Sequence, residues 1–131
     1  MVIGDCTVGK TSIVQQFINS GTCFPKNYSM TLGGDVQSRT INIPDTSDAV
    51  ELVMIDCSGR SVYNDMMGRL WEGCSLVVVV YDVTREETQL ALQYFQCNAK
   101  DNAGVEEPFF YLANEYHKLF SEQANTMAHI A

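Results

Sequence analysis

The order of apolar and polar runs predicts an α/β fold in one domain over residues 1–131. The expected architecture is a mostly parallel central sheet with one antiparallel hairpin, flanked by helices. Three observations carry that expectation. A glycine-bearing loop, GDCTVGKT from Gly4, stands between an apolar stub and an amphipathic run. Two β-branched runs, VQSRTINI and ELVMID, flank the turn-like PDTSD and read as a hairpin. The unbroken apolar run SLVVVVYDV suits a strand buried on both faces of a parallel sheet.

Taken in order, Met1 to Ile3 is a short apolar strand leading into the loop. From Thr11, SIVQQFI places Ile13, Val14, Phe17 and Ile18 on one helical face, and GTC ends that helix. The hairpin follows, then a polar stretch from Ser61 to Arg69, then the apolar run over residues 75–83. Thr84 and Glu87 form a capping-box pattern that opens a helix at Arg85. YFQCN reads as a further strand. Pro108 starts a last helix with Phe109, Leu112, Ala113, Tyr116 and Phe120 on one face. There is no internal repeat, low-complexity tract or second-domain linker.

Only residues 85–93 separate YFQCN from the Thr84 cap, whereas a crossover to a parallel strand takes at least about 10–12 residues. The sequence therefore predicts that residues of the natural protein are missing between about 88 and 93. A few more are expected to precede Met1, because strands usually run to about five or six residues.

Composition bounds the function. Of the residues, 46% are apolar and 18% charged, which is globular rather than disordered. A net charge of −8 argues against nucleic acid or anionic membrane as partner. A small anion is still compatible, because a local nest of backbone N–H groups overrides a distant acidic surface. Five cysteines without framework spacing suit a reducing compartment. No run is long and apolar enough for a membrane helix, and no signal peptide is visible. The closing MAHIA carries no cysteine for a prenyl group, so no lipid anchor is expected.

The loop satisfies G-x-x-x-x-G-K-[ST]. Its glycines let successive N–H groups of Asp5, Cys6, Thr7, Val8 and Gly9 point inward at phosphate oxygens. Lys10 would reach the β- and γ-phosphates, and Thr11, followed by Ser12, would place its hydroxyl on Mg²⁺. The helix that begins there aims its positive end at the same anion. The alternative is a glycine turn with a surface lysine, and the strand–loop–helix context opposes it. MIDCSGR adds Asp56 at the end of a buried strand, able to hold the metal. Gly59 follows three residues later, its N–H free to meet the γ-phosphate without a side chain in the way. Read in isolation, Asp56 would be an ordinary strand-ending turn residue.

With these motifs, YSMTLGGDV, WEGCSLVVVVYDVT and CNAKDN, the chain resembles the Ras-superfamily small GTPases, nearest their Rab-like branch. IPDTSDAVELVMID, LWEGCS and EEPFFYLANEYHKLF narrow the resemblance to the Rab-like GTPases of intraflagellar transport. The resemblance implies the phosphate-loop GTPase fold, GTP or GDP with Mg²⁺, and residence in cytoplasm and cilium or flagellum. It implies Thr31 as a second metal hydroxyl, Phe24 stacked on guanine and Tyr28 over the phosphates. It further implies that Asn98, Ala99 and Lys100 form the base-contacting loop, with the Ala99 N–H on the guanine O6. Three departures stand out. Cys6 occupies a position where fast-hydrolysing relatives usually carry glycine. Arg60 replaces the glutamine that positions the attacking water, which implies slow hydrolysis unless the arginine stabilises transition-state charge itself. The Asn-Lys-x-Asp guanine motif is absent, and its expected place is the segment that crossover length already marks as missing.

The implied partners are the jelly-roll subunit, intraflagellar transport protein 25, as heterodimeric mate, and the coiled-coil subunits of complex B. Two other functions fit the phosphate loop: an active switch in vesicle trafficking, and a small nucleotide kinase. The kinase would need an arginine cluster for its second substrate, and Arg39, Arg60, Arg69 and Arg85 are scattered. A purely structural subunit stabilised by bound nucleotide is the contrasting non-enzymatic reading. His117 has no ligand at zinc spacing.

Overall fold

A computed structural model of the chain describes residues 1–22, 24, 26, 27, 29–84 and 95–130, with side chains as far as residue 125. Its sheet has four strands in the order β2-β3-β1-β4, where β1 is Val2–Ile3, β2 Gly34–Asn42, β3 Ala49–Cys57 and β4 Val78–Val79. β1 runs parallel to both β3 and β4, and β2 with β3 forms the antiparallel hairpin. Three helices accompany the sheet: α1 (Lys10–Ile18), α2 (Asn64–Trp71) and α3 (Glu107–Ile130). The mixed, mostly parallel sheet is the expected architecture.

The hairpin is longer than its sequence signal, with nine paired positions from Gly34↔Cys57 to Asn42↔Ala49. Its turn is held by Thr46, whose hydroxyl and N–H both donate to the Ile43 carbonyl, and by Asp45 in the left-handed region. β1 needs only two residues because it lies between partners. The N–H groups of Val78 and Val80 donate to the carbonyls of Met1 and Ile3, each at 2.8 Å.

The core lies between the sheet and α1 with α3. Phe17 and Phe109 are fully buried and stacked with ring centroids 4.1 Å apart. Val2, Val14, Ile41, Val105 and Ala113 close around them. Arg39 of β2 lays its guanidinium 4.5 Å over the Phe17 ring, donates to the Phe17 carbonyl and pairs with Glu106 at 2.8 Å. One cation thus fastens the end of α1, the hairpin and the entry to α3. His117 makes a second tie from α3 to the hairpin turn, 2.8 Å from Asp48. Leu112 is half-buried, whereas Tyr116 and Phe120, expected on the core face, are exposed because α3 runs on past the sheet.

Two further expectations are corrected. The run over residues 75–83 contributes only Val78–Val79 to the sheet, and Val79, Tyr81 and Val83 are exposed. β4 stands at the edge of the described sheet, so one of its faces is not covered by described residues. Residues 95–97 of YFQCN are outside the sheet, and Asn98 makes an isolated bridge to Ala103 that closes a tight loop instead. The polar stretch after Gly59 is not irregular. It forms a 3-10 turn, Ser61–Tyr63, and then α2, with Asp65 and Arg69 at the helix ends their charges favour. The helix expected from Arg85, and with it the segment around residues 88–93, lies outside the described residues.

Among the described residues no helix is long and apolar enough to cross a membrane. Truncating the ring at the centre of the core, Phe17→Ala, is expected to cost about 3–5 kcal/mol of unfolding free energy. Urea denaturation of the two proteins under the same conditions measures it.

Candidate nucleotide site

The loop between β1 and α1 is shaped by two glycines with different jobs. Gly4 has φ +142°, and a Cβ there would meet the Val80 carbonyl oxygen at 2.0 Å, so the chain passes β4 only as glycine. Gly9 has φ +98° and open space where a Cβ would be. Between them Thr7 also takes a positive φ, and no backbone N–H from Asp5 to Gly9 donates to a described acceptor. Asp5, Cys6 and Thr7 are exposed, while Val8 packs against the core. The result is a row of unspent donors opening to solvent at the start of α1, the arrangement that binds anions.

Lys10 is only 6% exposed, and its ammonium donates to the carbonyls of Gly4 (2.9 Å) and Asp5 (2.6 Å). The loop thereby folds back over its own lysine and holds the charge at its centre. Lys10, expected to reach the phosphates, is tethered to the two loop carbonyls, contacts that the sequence did not reveal.

The three residues expected to hold metal come together. The Thr11 hydroxyl is 2.8 Å from the Thr31 hydroxyl and 2.5 Å from Asp56 Oδ2. Asp56 is 1% exposed and its Oδ1 has no partner among the described residues. Burial pushes the Asp56 carboxyl above the usual range. The Thr11 hydrogen bond and the Lys10 charge oppose that rise, and Asp35, directly across the hairpin, adds to it. A buried carboxylate oxygen without a donor, beside two hydroxyls and an anion cradle, fits Mg²⁺ shared with a phosphate ligand. Among the described residues no cluster of three acidic, histidine or cysteine side chains could hold a metal alone. A Mg²⁺ ion held by these side chains would complete its shell with phosphate oxygens and water.

Gly59 lies against the loop: a Cβ there would be 2.5 Å from the Cys6 nitrogen and 2.6 Å from the Asp5 carbonyl carbon. The Ser58 N–H donates to the Gly33 carbonyl at 2.7 Å, joining the Thr31 and Gly59 segments behind the site. The Arg60 side chain is exposed and makes no hydrogen bond or ion pair to a described residue. Phe24 is exposed as well, with no ring contact to another described residue, and Tyr28 lies outside the described residues. Ser12 is half-buried on α1.

The loop Asn98–Ala99–Lys100 is built from its own side chains. Asn98 Oδ1 accepts from the N–H groups of Lys100 and Asp101, and its amide donates to Asp101 Oδ2 at 2.7 Å. Gln16, which the sequence reading passed over, reaches it from α1 and donates to the Ala99 carbonyl at 2.7 Å. A polar residue inside the apolar face of a helix was the available signal.

Because desolvation raises the Asp56 pKa, its charged form weakens the metal-free fold at pH 7. That penalty fades as pH falls through the raised pKa and the carboxyl takes up a proton. Asp56→Asn is therefore expected to raise the thermal midpoint of the nucleotide-free protein at pH 7. The gain should shrink on acidification, and any Mg²⁺ dependence of nucleotide retention should be lost. Thermal melts across pH, with and without Mg²⁺, check both.

The sequence profile of the Ras family matches residues 1–92. The intraflagellar transport protein 27 homolog of Bos taurus is 31% identical, over 94% of this chain and 91% of its own length. That of Trypanosoma brucei brucei is 35% identical over 79% of this chain and 58% of its own length. The Ras-related protein Rab-28 of Caenorhabditis elegans is 34% identical over 82% and 43% respectively. With its strand–loop–helix phosphate cradle and this extent of similarity, the chain belongs to the Ras family.

Proposed function

We propose that this chain is a guanine-nucleotide-binding, Rab-like subunit of intraflagellar transport complex B, working in cytoplasm and cilium or flagellum, that hydrolyses GTP slowly. The observation that carries the reading is the meeting of Thr11, Thr31 and the unpaired Asp56 oxygen beside the open N–H row of the loop. The names of the similar proteins supply the transport context. The partners that follow are the jelly-roll subunit, intraflagellar transport protein 25, and the coiled-coil subunits of the same complex.

In this reading the N–H groups of residues 5–9 and the Lys10 ammonium grip the β- and γ-phosphates of GTP or GDP. Thr11, Thr31 and Asp56 would hold Mg²⁺, and the metal when bound neutralises charge on the phosphate oxygens. Gly59, already in contact with the loop backbone, offers its N–H to the γ-phosphate. Thr31 and Gly59 are tied through Gly33 and Ser58, so a ligand that orders one segment orders the other. Phe24 and Tyr28 cover the nucleotide, and the Ala99 N–H with Lys100 meets the base.

Slow turnover follows from two side chains. Arg60 has no acceptor with which to orient and deprotonate an attacking water. Cys6 adds its side chain at the place where the loop and Gly59 already touch. The alignment with the bovine protein extends over 170 positions, against 131 residues here. That protein therefore carries interior residues without counterpart in this chain, which supports a missing segment holding the guanine-specificity motif. A mass above that of 131 residues for the protein isolated from its source would establish it.

Arg60→Gln is expected to raise single-turnover GTP hydrolysis by at least about tenfold. A wild-type rate already above that of the variant would sink the slow-hydrolysis reading. Lys10→Ala is expected to weaken GDP binding about a hundredfold, the worth of a charge-assisted contact. Equilibrium binding of labelled GDP measures it, and unchanged affinity would remove the phosphate cradle.

A further inference from the structure

Gln16 is 2% exposed, sits on α1 among Ile13, Val14 and Phe17, and uses one of its two polar atoms. Its amide nitrogen donates to the Ala99 carbonyl at 2.7 Å, while its Oε1 is buried with no partner among the described residues. A half-satisfied amide in a core is a poor device for stability, since an apolar side chain of the same length avoids the unpaired oxygen. Its position suggests another purpose. α1 begins at the phosphate loop, and Gln16 follows Lys10 by six residues, about 9 Å along the axis. The same helix therefore sets the phosphate cradle at one end and grips the 98–101 loop near the other.

A second contact fixes that loop against the turn after α1. Gly21, at φ +78°, lies so close to Asn102 that a Cβ would sit 1.9 Å from its amide nitrogen. The Gly21 N–H donates to the Gln16 carbonyl at 2.8 Å, so both contacts belong to one rigid end of the helix. On the outer side the loop is closed by its own Asn98, by the bridge to Ala103 and by the Asn102 N–H, which donates to the Ala99 carbonyl at the longer distance of 3.4 Å.

We infer that Gln16 is a positioning residue for base selection. By holding the Ala99 carbonyl it fixes the loop in the register that presents the Ala99 N–H to the 6-oxo group of a purine nucleotide. This rests on the nucleotide reading above. The backbone N–H accepts a 6-oxo purine and opposes a 6-amino one, which brings its own donor to the same place. Gln16 touches neither base nor phosphate. Its effect is confined to discrimination between bases.

The test compares wild type, Gln16→Met and Gln16→Glu by calorimetric titration with GDP, ADP and pyrophosphate, alongside thermal melts. The methionine keeps the length without the donor, and the glutamate puts an acceptor against the Ala99 carbonyl. The expected result is a fall in the GDP-to-ADP affinity ratio of about tenfold for Gln16→Met, the worth of one neutral hydrogen bond. Gln16→Glu should lose more. Pyrophosphate affinity should not change, and the melting midpoint of Gln16→Met should stay level or rise. An unchanged ratio overturns the inference, as does parallel loss of GDP, ADP and pyrophosphate, which marks a merely structural residue. If Gln16→Glu does not fold, Gln16→Met alone decides. Wild-type protein that binds pyrophosphate but shows no preference for GDP over ADP overturns the inference and leaves the phosphate cradle standing. Wild-type protein that binds none of the three overturns the nucleotide reading as well.

Discussion

Asp56 places a carboxylate where water does not reach, at the point where β3 ends beside the phosphate loop. One oxygen takes the Thr11 proton and the other takes nothing among the described residues. Neutralising the group by protonation would lift the penalty, and so would a cation. Lys10, the cation nearby among the described residues, is already directed at the Gly4 and Asp5 carbonyls. In the nucleotide reading proposed above, a bound cation would supply the charge that Asp56 lacks. That reading accounts for the convergence of strand end, loop and the Thr31 segment, and bound ligand would then add to the stability of the domain.

The helix that follows the loop transmits this arrangement. At its start it contributes Lys10 and Thr11, and in its middle Ile13 and Val14 anchor it to the sheet. At its end Phe17 stacks on Phe109 while its carbonyl is taken by Arg39. Arg39 in turn is held by Glu106, just before α3. Phosphate loop, 98–101 loop and C-terminal helix are therefore registered to a single nine-residue element. A shift of that helix cannot move one part of the site without the others, because the core around Phe17 is packed on every side.

How much of this was legible in the sequence depended on whether local chemistry or tertiary company decided the outcome. The phosphate loop was legible because each residue type answers a backbone need: Gly4 a close passage, Gly9 a positive φ, Lys10 and Thr11 a charge and a hydroxyl. The hairpin was legible through its β-branched alternation around PDTSD. The apolar run over residues 75–83 misled, because a strand's burial depends on what lies beyond its edge, and composition does not report that. α2 was missed for a related reason. Met66, Met67, Leu70 and Trp71 stand at helical spacing, but none is buried against described residues and the polar residues around them masked the pattern. Gln16 left only a faint mark, because a glutamine in a helix normally signals solvent, and its role comes from the docking of a loop 83 residues away.

The acidic surface sets limits on the kind of site this is. A chain of net charge −8 repels a nucleotide polyphosphate at long range, yet that field is screened beyond about 8 Å at physiological salt. Inside that distance the ligand meets the N–H row, the positive end of α1 and Lys10, all fixed before it arrives. Local donors with no reorganisation to undergo outweigh a diffuse, screened repulsion. The two act on different rates: the surface slows arrival, while the cradle governs departure. For the nucleotide proposed above, such a site would favour long residence over rapid capture.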